Sequence, residues 1–202
     1  MLTRILHAIV AQPKVYDLVQ FLAGASAMRR RMAARIAQLP APQRIVDVGG
    51  GTGAGKEVLP PGCHYVCLDI DPQKIAGFVA KNPGELAIVA DATRMPLPDA
   101  SLDAVIFMFV AHHLTDDLLD DFVREAARVL RPTGSLVFAD PLWAPRRWPG
   151  RILWRYDRGS HPRTPDRLRE ALSKHFDIRH WDRFAVWHAY VLAVATPRND
   201  LA

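Results

Sequence analysis

A glycine-rich stretch in the first third of the chain carries the residues with the most specific chemistry. Residues 46–57 read VDVGGGTGAGKE and follow a strand-like apolar run. The segment from Gly50 to Lys56 has the spacing of a phosphate-binding loop, whose backbone N–H groups surround phosphates. Such a loop needs a Ser or Thr hydroxyl after the lysine to hold magnesium, and this chain has Glu57 there. Because a carboxylate would also repel phosphates, the sequence argues against a phosphate loop.

The same stretch fits a dinucleotide-binding turn. Gly49, Gly51 and Ala54 have the Gly-x-Gly-x-x-Ala spacing of a turn that joins a strand to a helix. Asp69 follows about 20 residues later, where an acid of such a site binds ribose hydroxyls. On these residues alone, a nicotinamide cofactor stays open as an alternative.

Three acids at the ends of apolar runs favour a third ligand. Asp47, Asp69 and Asp91 close three successive runs, and open parallel sheets bind ligands at the carboxyl ends of their strands. Asp47 stands two residues before the first glycine, where its charge would repel a pyrophosphate but attract an ammonium group. S-adenosylmethionine carries an ammonium group and a sulfonium and has no phosphate. Asp69 would then accept both ribose hydroxyls, and Asp91 the adenine amino group.

The alternation of apolar and amphipathic runs predicts the fold that places these acids. Five short apolar runs have the character of strands buried on both faces; they are residues 44–48, 64–70, 85–91, 102–110 and 134–140. Helical patterns separate them, and two further strands, at residues 177–186 and 188–197, predict an antiparallel hairpin. The sequence therefore predicts an α/β fold with a Rossmann-like, doubly wound seven-stranded sheet, mostly parallel with an antiparallel C-terminal edge strand.

A single domain is expected over residues 1–202. Its parts are an N-terminal helical cap (1–43), a ligand-binding core (44–140), a basic and aromatic insert over the substrate (141–163), and the last helix with the hairpin (164–197). The insert contains four prolines and no clean period. We expect it to be a long loop or to contain a short helix.

Charge is distributed unevenly along the chain. Residues 1–44 carry seven Lys/Arg against one acid, residues 45–140 seven against fourteen, and residues 141–170 eight against three. An acidic core between basic segments suggests that ligand binding and partner contact lie in different parts of the chain. Half of the residues are apolar, and no run reaches the ~18 residues that span a bilayer. We therefore expect a cytoplasmic globular protein with reduced cysteines.

Five motifs resemble those of the class I S-adenosylmethionine-dependent methyltransferases: VDVGGGTG, CLDID, VADATRMPLPDASLDAVIF, FVAHHL and REAARVLRPTGSLVFAD. Within that family the resemblance is to the small-molecule (type 11) group, which includes the quinone-biosynthesis C-methyltransferases. It covers roughly residues 40–140. The chain departs from the family in a very short helix after the glycine loop, ended by Pro60 and Pro61, and in Thr133, where a glycine is more usual.

The resemblance assigns the cofactor contacts to the ends of the first four strands. In strand order, the residues are Asp47, Gly49, Gly50, Gly51 and Gly53; Asp69 and Ile70; Asp91 and Ala92; and Phe109 and Val110. The first set would meet the methionine end of S-adenosylmethionine, the second the ribose and adenine, and the third the adenine edge. The fourth would face the sulfonium and the entrance for the acceptor.

Methyl transfer needs an aligned nucleophile, and it needs a base only where the acceptor must lose a proton. His112 and His113 follow the fourth strand at the expected entrance, and His113 matches a position where the family often has His. Both are candidate bases, with a structural role in fixing the loop as the alternative. The chain lacks the motif of base-amino methylation after this strand, which argues against nucleic acid as a partner.

The insert alternates arginines with aromatic residues. This composition suits an anionic, partly apolar small-molecule acceptor or an acidic membrane surface. The candidate substrate contacts are Tyr16, Trp143, Trp154, Tyr156 and His161. An RNA or protein acceptor and a non-catalytic role in binding S-adenosylmethionine are the alternatives. The sequence contains no metal-binding pattern and no signal for an oligomeric state.

Overall fold

Seven strands form one sheet in the computed structural model, which describes residues 25–39, 43–156, 159 and 161–198. The strands are β1 (Arg44–Val48), β2 (His64–Asp69), β3 (Leu86–Val89), β4 (Leu102–Met108), β5 (Leu130–Leu142), β6 (Phe176–Ala185) and β7 (Ala189–Pro197). Their order across the sheet is β3-β2-β1-β4-β5-β7-β6.

The direction of the strands confirms the fold predicted from the sequence. β1 pairs in parallel with β2 and β4, β2 with β3, and β4 with β5. β7 is antiparallel to both of its neighbours, β5 and β6. The reversed strand of the hairpin therefore lies one place inside the sheet, and β6 forms the edge.

Helices flank the sheet: α1 (Ala25–Ile36), α2 (Pro72–Lys81), α3 (Asp116–Val129), α4 (Trp148–Tyr156) and α5 (Pro165–Ser173). Side-chain caps explain where three of them begin. Asp71, Thr115 and Thr164 each accept a hydrogen bond from a backbone N–H of the first helical turn. Proline follows the cap in α2 and α5, since its fixed φ suits the first helical position.

The connection from β1 to β2 contains only a short 3₁₀ turn, Lys56–Val58, before Pro60 and Pro61. The very short helix expected after the glycine loop is therefore confirmed. The insert differs from the expectation at its start, because β5 continues to Leu142 by pairing with β7. Its centre is the helix α4, the short helix that the sequence left open.

The two faces of the sheet bury separate apolar clusters. On one face, α3 packs against β4 and β5, and the rings of Phe107 and Phe122 stack with centroids 3.6 Å apart. On the other face, α1 buries Met28, Met32 and Ile36 against β1, β4 and β7. The helix α1 lies within the segment predicted to be an N-terminal helical cap, which stays a prediction; residues 1–24 and 40–42 lie outside the described part of the chain.

Removal of one α1 side chain tests whether this helix is integral to the domain. Met32→Ala is expected to lower the free energy of unfolding by about 2–5 kcal/mol, because truncation of a fully buried side chain leaves a cavity. Arg30→Ala, on the exposed side of α1, is the control and should change it by less than about 0.5 kcal/mol. Urea denaturation measures both. Equal stability of the two variants would show that α1 does not belong to the core.

Candidate active site

The three acids predicted to act together lie along one edge of the sheet. Asp47 is the penultimate residue of β1, Asp69 the last residue of β2, and Asp91 follows β3 by two residues. Parallel pairing of β1 with β2 and of β2 with β3 brings the carboxyl ends of these strands side by side. The glycine loop, residues 49–55, begins at the same edge.

The Asp47 carboxylate is buried beneath the glycine loop, with 2% of the residue exposed. The hydroxyl of Tyr65 donates to Asp47 Oδ2 at 2.7 Å from the neighbouring strand β2. The loop covers the carboxylate so closely that a Cβ on Gly55 would lie 2.2 Å from Oδ2, and one on Gly50 would lie 3.0 Å from it. Glycine at these two positions is what leaves room for the acid.

Burial raises the pKa of Asp47 from 3.8 to about 6; the Tyr65 hydrogen bond opposes this shift, and the charge of Asp69 adds to it. Burial and the nearby Asp47 also raise the pKa of Tyr65 and bring that of Cys67 to about 12. At neutral pH, Asp47 is therefore ionised while its two neighbours on β2 stay neutral. A buried negative charge of this kind attracts a cationic ligand group.

Two loop glycines adopt backbone conformations that only glycine takes at low cost. Gly49 has φ +72°, and a Cβ there would lie 2.3 Å from Val110 Cγ2. Gly53 has φ +95°, and a Cβ there would lie 2.7 Å from the Phe78 ring. The loop is thus wedged between α2 and the segment that follows β4, with its backbone fixed at the sheet edge.

The Asp69 carboxylate holds the loop and the start of α2. It accepts from the backbone N–H of Gly51 at 3.0 Å and from that of Asp71 at 2.9 Å, and Lys74 Nζ lies 3.5 Å away. The adjacent Ile70 is 67% exposed, an unusual fraction for a large apolar residue beside a buried acid. An apolar side chain next to a carboxylate suits a ribose linked to a flat heterocycle.

Asp91 is exposed and accepts from both the backbone N–H and the hydroxyl of Thr93, each at 2.8 Å. These bonds fix its carboxylate beyond the end of β3, and Ala92 beside it is half-buried. Asp69, Ile70 and Asp91 therefore line the same side of the loop.

Phe109 marks the boundary between this side and the rest of the sheet edge. Its φ of +60° lies in the left-handed region, which a bulky residue adopts rarely and at a cost in energy. Its N–H donates to the carbonyl of Ala139 at 2.8 Å, and its ring lies edge-on to Tyr190 at 5.8 Å. Backbone strain of this kind is concentrated at functional sites, where the surrounding structure holds it.

A buried histidine and carboxylate follow the boundary residue. His112 Nδ1 lies 2.8 Å from Asp140 Oδ1, and both residues are almost fully buried. Burial raises the pKa of Asp140, and the contact with His112 opposes that shift. His113 is exposed, with its ring 4.2 Å from that of His112. The Asp140 carboxylate therefore orients the ring of His112, one of the two candidate bases.

Arg163 closes the insert and fixes the turn that carries both histidines. Its guanidinium donates to the carbonyls of Ala111 at 2.7 Å and Leu114 at 2.6 Å, and to Asp116 Oδ1 at 2.7 Å. Its own carbonyl accepts from the N–H of Trp143 at 2.8 Å. The two ends of the insert are thus joined to each other and to the end of β4.

The structure brings part of the predicted substrate set to this region. The Trp154 ring lies 5.7 Å from the His112 ring, and its indole N–H donates to the Leu142 carbonyl at 3.4 Å. Trp143 and His161 are half-buried at the two ends of the insert, and the His161 N–H donates to the His112 carbonyl at 3.0 Å. Tyr16 and the side chain of Tyr156 lie outside the described residues.

Three contributors to the site were missed at the level of the sequence: Tyr65, Asp140 and Arg163. Asp140 carried a signal, since it ends the fifth apolar run as Asp47 ends the first. Tyr65 and Cys67 are two residues apart on β2 and therefore lie on the same face of the strand. The hydrogen bond from Tyr65 to Asp47, however, depends on the register between β2 and β1. Arg163 is one of many arginines in its segment, and nothing local distinguishes it.

Within the described part of the chain, no group of three or more His, Cys, Asp or Glu side chains is arranged to hold a metal ion. No helix there is long and apolar enough to cross a membrane. Cys63 and Cys67 are free thiols.

Comparison with known proteins agrees with this geometry, since the family described as "Methyltransferase domain" matches residues 46–138. The match covers 93 of the 202 residues of the chain, and this segment is similar to the methyltransferase domain family. It runs from β1 into β5 and contains the glycine loop, the three acids and both histidines. The resemblance to class I S-adenosylmethionine-dependent methyltransferases that the sequence predicted is confirmed.

Curated relatives share the methyltransferase domain. A demethylmenaquinone methyltransferase of Tropheryma whipplei is 32% identical over 114 residues, which are 55% of this chain and 47% of that protein. The demethylmenaquinone methyltransferase of Thermus thermophilus is 35% identical over 133 residues, 60% of this chain and 59% of that protein. A tRNA (carboxymethyluridine(34)-5-O)-methyltransferase of Arabidopsis thaliana is 31% identical over 134 residues, 65% of this chain and 32% of that protein. The chain therefore spans about a third to three fifths of these relatives' length.

Solved structures share the fold of the methyltransferase domain at low sequence identity. A geranyl diphosphate C-methyltransferase from Streptomyces coelicolor, solved with S-adenosyl-L-homocysteine, superposes with a TM-score of 0.71 at 13% identity, over 86% of this chain and 81% of that chain. The [4+2]-cyclase SpnF superposes with a TM-score of 0.69 at 18% identity over the same shares.

The buried charge of Asp47 predicts a stability that depends on pH. Because its pKa is about 6 in the folded protein and 3.8 without the shift, the folded state binds the extra proton between these values. Protonation of Asp47 therefore stabilises the folded state fully below about pH 4, and this stabilisation is lost as pH rises through 6. The free energy of unfolding of Asp47→Asn should therefore exceed that of the wild type by about 1–3 kcal/mol at pH 7.5. It should also lack the decrease that the wild type shows as pH rises.

Urea denaturation at pH 5 and pH 7.5 measures the difference. Asp117→Asn, which removes an exposed acid from the first turn of α3, is the control and should leave the pH dependence unchanged. If Asp47→Asn keeps the pH dependence of the wild type, the assignment of the raised pKa to Asp47 is wrong.

Proposed function

We propose that this chain transfers a methyl group from S-adenosylmethionine to a small-molecule acceptor that is anionic and partly apolar. The observation that carries the proposal is the placement of Asp47, Asp69 and Asp91 at the ends of three adjacent parallel strands, around a glycine loop. No phosphate-binding or pyrophosphate-binding site needs a buried acid beneath its loop. A ligand with an ammonium group, a ribose and an adenine uses all three acids.

The ligand would be held by charge at one end and by hydrogen bonds at the other. Its ammonium group is attracted by the ionised Asp47 through the thin glycine loop. Asp69 keeps free lone pairs beside those that bind the N–H groups of Gly51 and Asp71, and these would accept the ribose hydroxyls. Ile70 and Asp91 would contact the two sides of the adenine. The sulfonium would then lie towards Phe109.

The reaction is a displacement at the methyl carbon. The acceptor atom forms a bond to that carbon while the bond from carbon to sulfur breaks, and the positive sulfonium becomes a neutral thioether. An acceptor hydroxyl or acidic carbon also loses a proton, which a base must take. We assign this role to His112, with Asp140 as the positioning residue that orients its ring, and keep the exposed His113 as the alternative.

The acceptor side of the site supports the acceptor class. The rings of Trp154, His188, Tyr190 and Phe109 form a chain of neighbours with centroids 5.1–5.9 Å apart. Such a wall suits a flat apolar group, and the basic insert beside it suits a negative charge. The demethylmenaquinone methyltransferases among the relatives support a small acceptor of this kind.

The tRNA methyltransferase among the relatives supports RNA as a second candidate acceptor. Incubation of the purified chain with radiolabelled S-adenosylmethionine and either a lipid extract or total tRNA separates the two. Label in an organic-soluble product supports the small-molecule acceptor. Label in tRNA alone would replace it with the RNA acceptor.

Calorimetry tests the cofactor first. The wild type is expected to bind S-adenosylmethionine and S-adenosylhomocysteine at micromolar concentration and NAD weakly or not at all. Asp69→Ala should lose about tenfold or more in affinity for both, because it removes a charged acceptor of two hydroxyls. Asp117→Ala, an exposed acid of α3, is the control and should bind like the wild type. Tight binding of NAD would contradict the proposal.

Kinetics test the proposed base once an acceptor has been labelled. His112→Gln is expected to lower kcat about 100-fold with little change in KM for S-adenosylmethionine, because only proton removal is lost. Asp140→Asn should lower kcat less than His112→Gln does. The double variant should lower kcat no more than His112→Gln alone, because Asp140 acts through His112. His113→Gln tests the alternative base and should keep the activity of the wild type. A loss confined to His113→Gln would move the base to that residue, and full activity in both would leave the reaction without a histidine base.

A further inference from the structure

Two segments distant in sequence meet to form one surface beside the acceptor side of the site. The Arg147 guanidinium donates to the Val186 carbonyl at 2.9 Å, which joins the start of α4 to the turn between β6 and β7. Gly150 in the first turn of α4 faces the same turn, since its Cβ position lies at ordinary contact distance, 3.6 Å, from the Trp187 carbonyl oxygen. We call residues 146–155 and 183–187 together the α4–hairpin surface.

The helix α4 presents different residues on its two faces. Gly150 and Trp154, four residues apart, face inwards onto His188. Trp148, Arg151 and Arg155 share the opposite face, since residues three and four apart are neighbours on a helix, and all three are exposed. The outer face therefore carries one indole and two guanidinium groups.

Large apolar side chains are exposed on this surface. Trp148 is 66% exposed, Trp187 46% and Val186 39%. The helix start and the hairpin turn that carry them are packed together, so these side chains protrude from neighbouring points. Exposed apolar groups clustered in this way mark interaction sites. Indoles in particular favour the boundary between water and the acyl chains of a membrane.

The surface is positively charged, and its exposed arginines have no acidic partner within the described part of the chain. Residues 146–155 and 183–187 contain no acid. Arg146, Arg151, Arg155 and Arg183 are exposed, and none of them makes an ion pair with another residue that the structure describes. Elsewhere the pattern differs: Arg29, for example, pairs with Glu57. Arginines left free in this way complement an anionic surface.

We propose that the α4–hairpin surface docks the protein on an anionic phospholipid membrane, with Trp148 and Trp187 at the lipid boundary and the arginines on the headgroups. The inner face of the same helix places Trp154 against His112, so docking would bring the acceptor side of the site to within about one helix diameter of the bilayer. An amphiphilic acceptor could then reach the site without crossing water. This last step rests on the proposed function; the docking does not.

A membrane fits these residues better than a nucleic acid does. The indoles stand at a helix start and at a hairpin tip, which are protruding positions suited to insertion. Val186 between them has no face on which a base could stack, yet an aliphatic side chain gains by leaving water for the acyl boundary. The experiment below distinguishes RNA binding from membrane docking.

Sedimentation of the purified chain with vesicles tests the proposal. Vesicles of phosphatidylcholine with about 30% phosphatidylglycerol should bind the protein, and vesicles of phosphatidylcholine alone should bind it at least about tenfold more weakly. Arg151→Gln/Arg155→Gln should weaken binding about 25-fold, about fivefold for each arginine. Trp148→Ala/Trp187→Ala should weaken it about tenfold or more. Arg30→Gln/Lys81→Gln removes two exposed cations elsewhere and is the matched control.

Thermal unfolding and calorimetric binding of S-adenosylmethionine check that each variant is folded. Equal binding to both kinds of vesicle, or binding of the two docking variants at the level of the control, would overturn the proposal. The proposal would also be overturned if tRNA displaced the protein from vesicles and the tryptophan substitutions had no effect on vesicle binding. Vesicle binding without cofactor binding would support the docking surface and refute the proposed function. Cofactor binding without vesicle binding would refute the docking surface and leave the proposed function in place.

Discussion

The buried carboxylate of Asp47 is the constraint on which the rest of the site depends. An ionised group out of water is costly unless it is hydrogen-bonded, and here Tyr65 supplies a bond from the adjacent strand. That bond requires β2 to pair with β1 in one register. The space for the carboxylate requires glycine at positions 50 and 55. Burial raises the pKa of Asp47, so its charge costs folding free energy at neutral pH, and Asn would fit in the same space. An acid at this position therefore indicates a role outside folding.

The sheet edge is divided into two halves that meet at Phe109. On one side, β1 to β3 end in the acids and the glycine loop. On the other, β4, β5 and β7 carry aromatic rings and the pair of His112 and Asp140. Val110 fills the space that the missing side chain of Gly49 leaves open, so the two halves are in direct contact. Strain in the Phe109 backbone is therefore held by packing from both halves.

Local pattern was sufficient for the elements of this fold and for the acids that lie at the ends of its strands. Continuous apolar runs gave the seven strands to within a few residues, and acids at their ends gave Asp47, Asp69 and Asp91. Contacts between segments far apart in sequence were not accessible in this way. Nothing near Arg163 indicates that it binds the carbonyls of a turn about fifty residues earlier. The length of β5 likewise follows from its pairing with β7, which local sequence does not encode.

Fold alone does not decide what this site does, because the [4+2]-cyclase SpnF superposes on it as well as the C-methyltransferase does. Under the proposed function, the acids and the glycine loop would select the ligand, and the side of the site that carries Trp154 and His112 would select the reaction. In this chain Arg163 joins both ends of the insert to the turn at the end of β4, so the wall formed by Trp154 is held in place with His112. Under the proposed function, a wall fixed at both ends would restrict acceptors by shape and align them before the reaction. Alignment of this kind is the main contribution that a protein can make when the methyl donor is already activated.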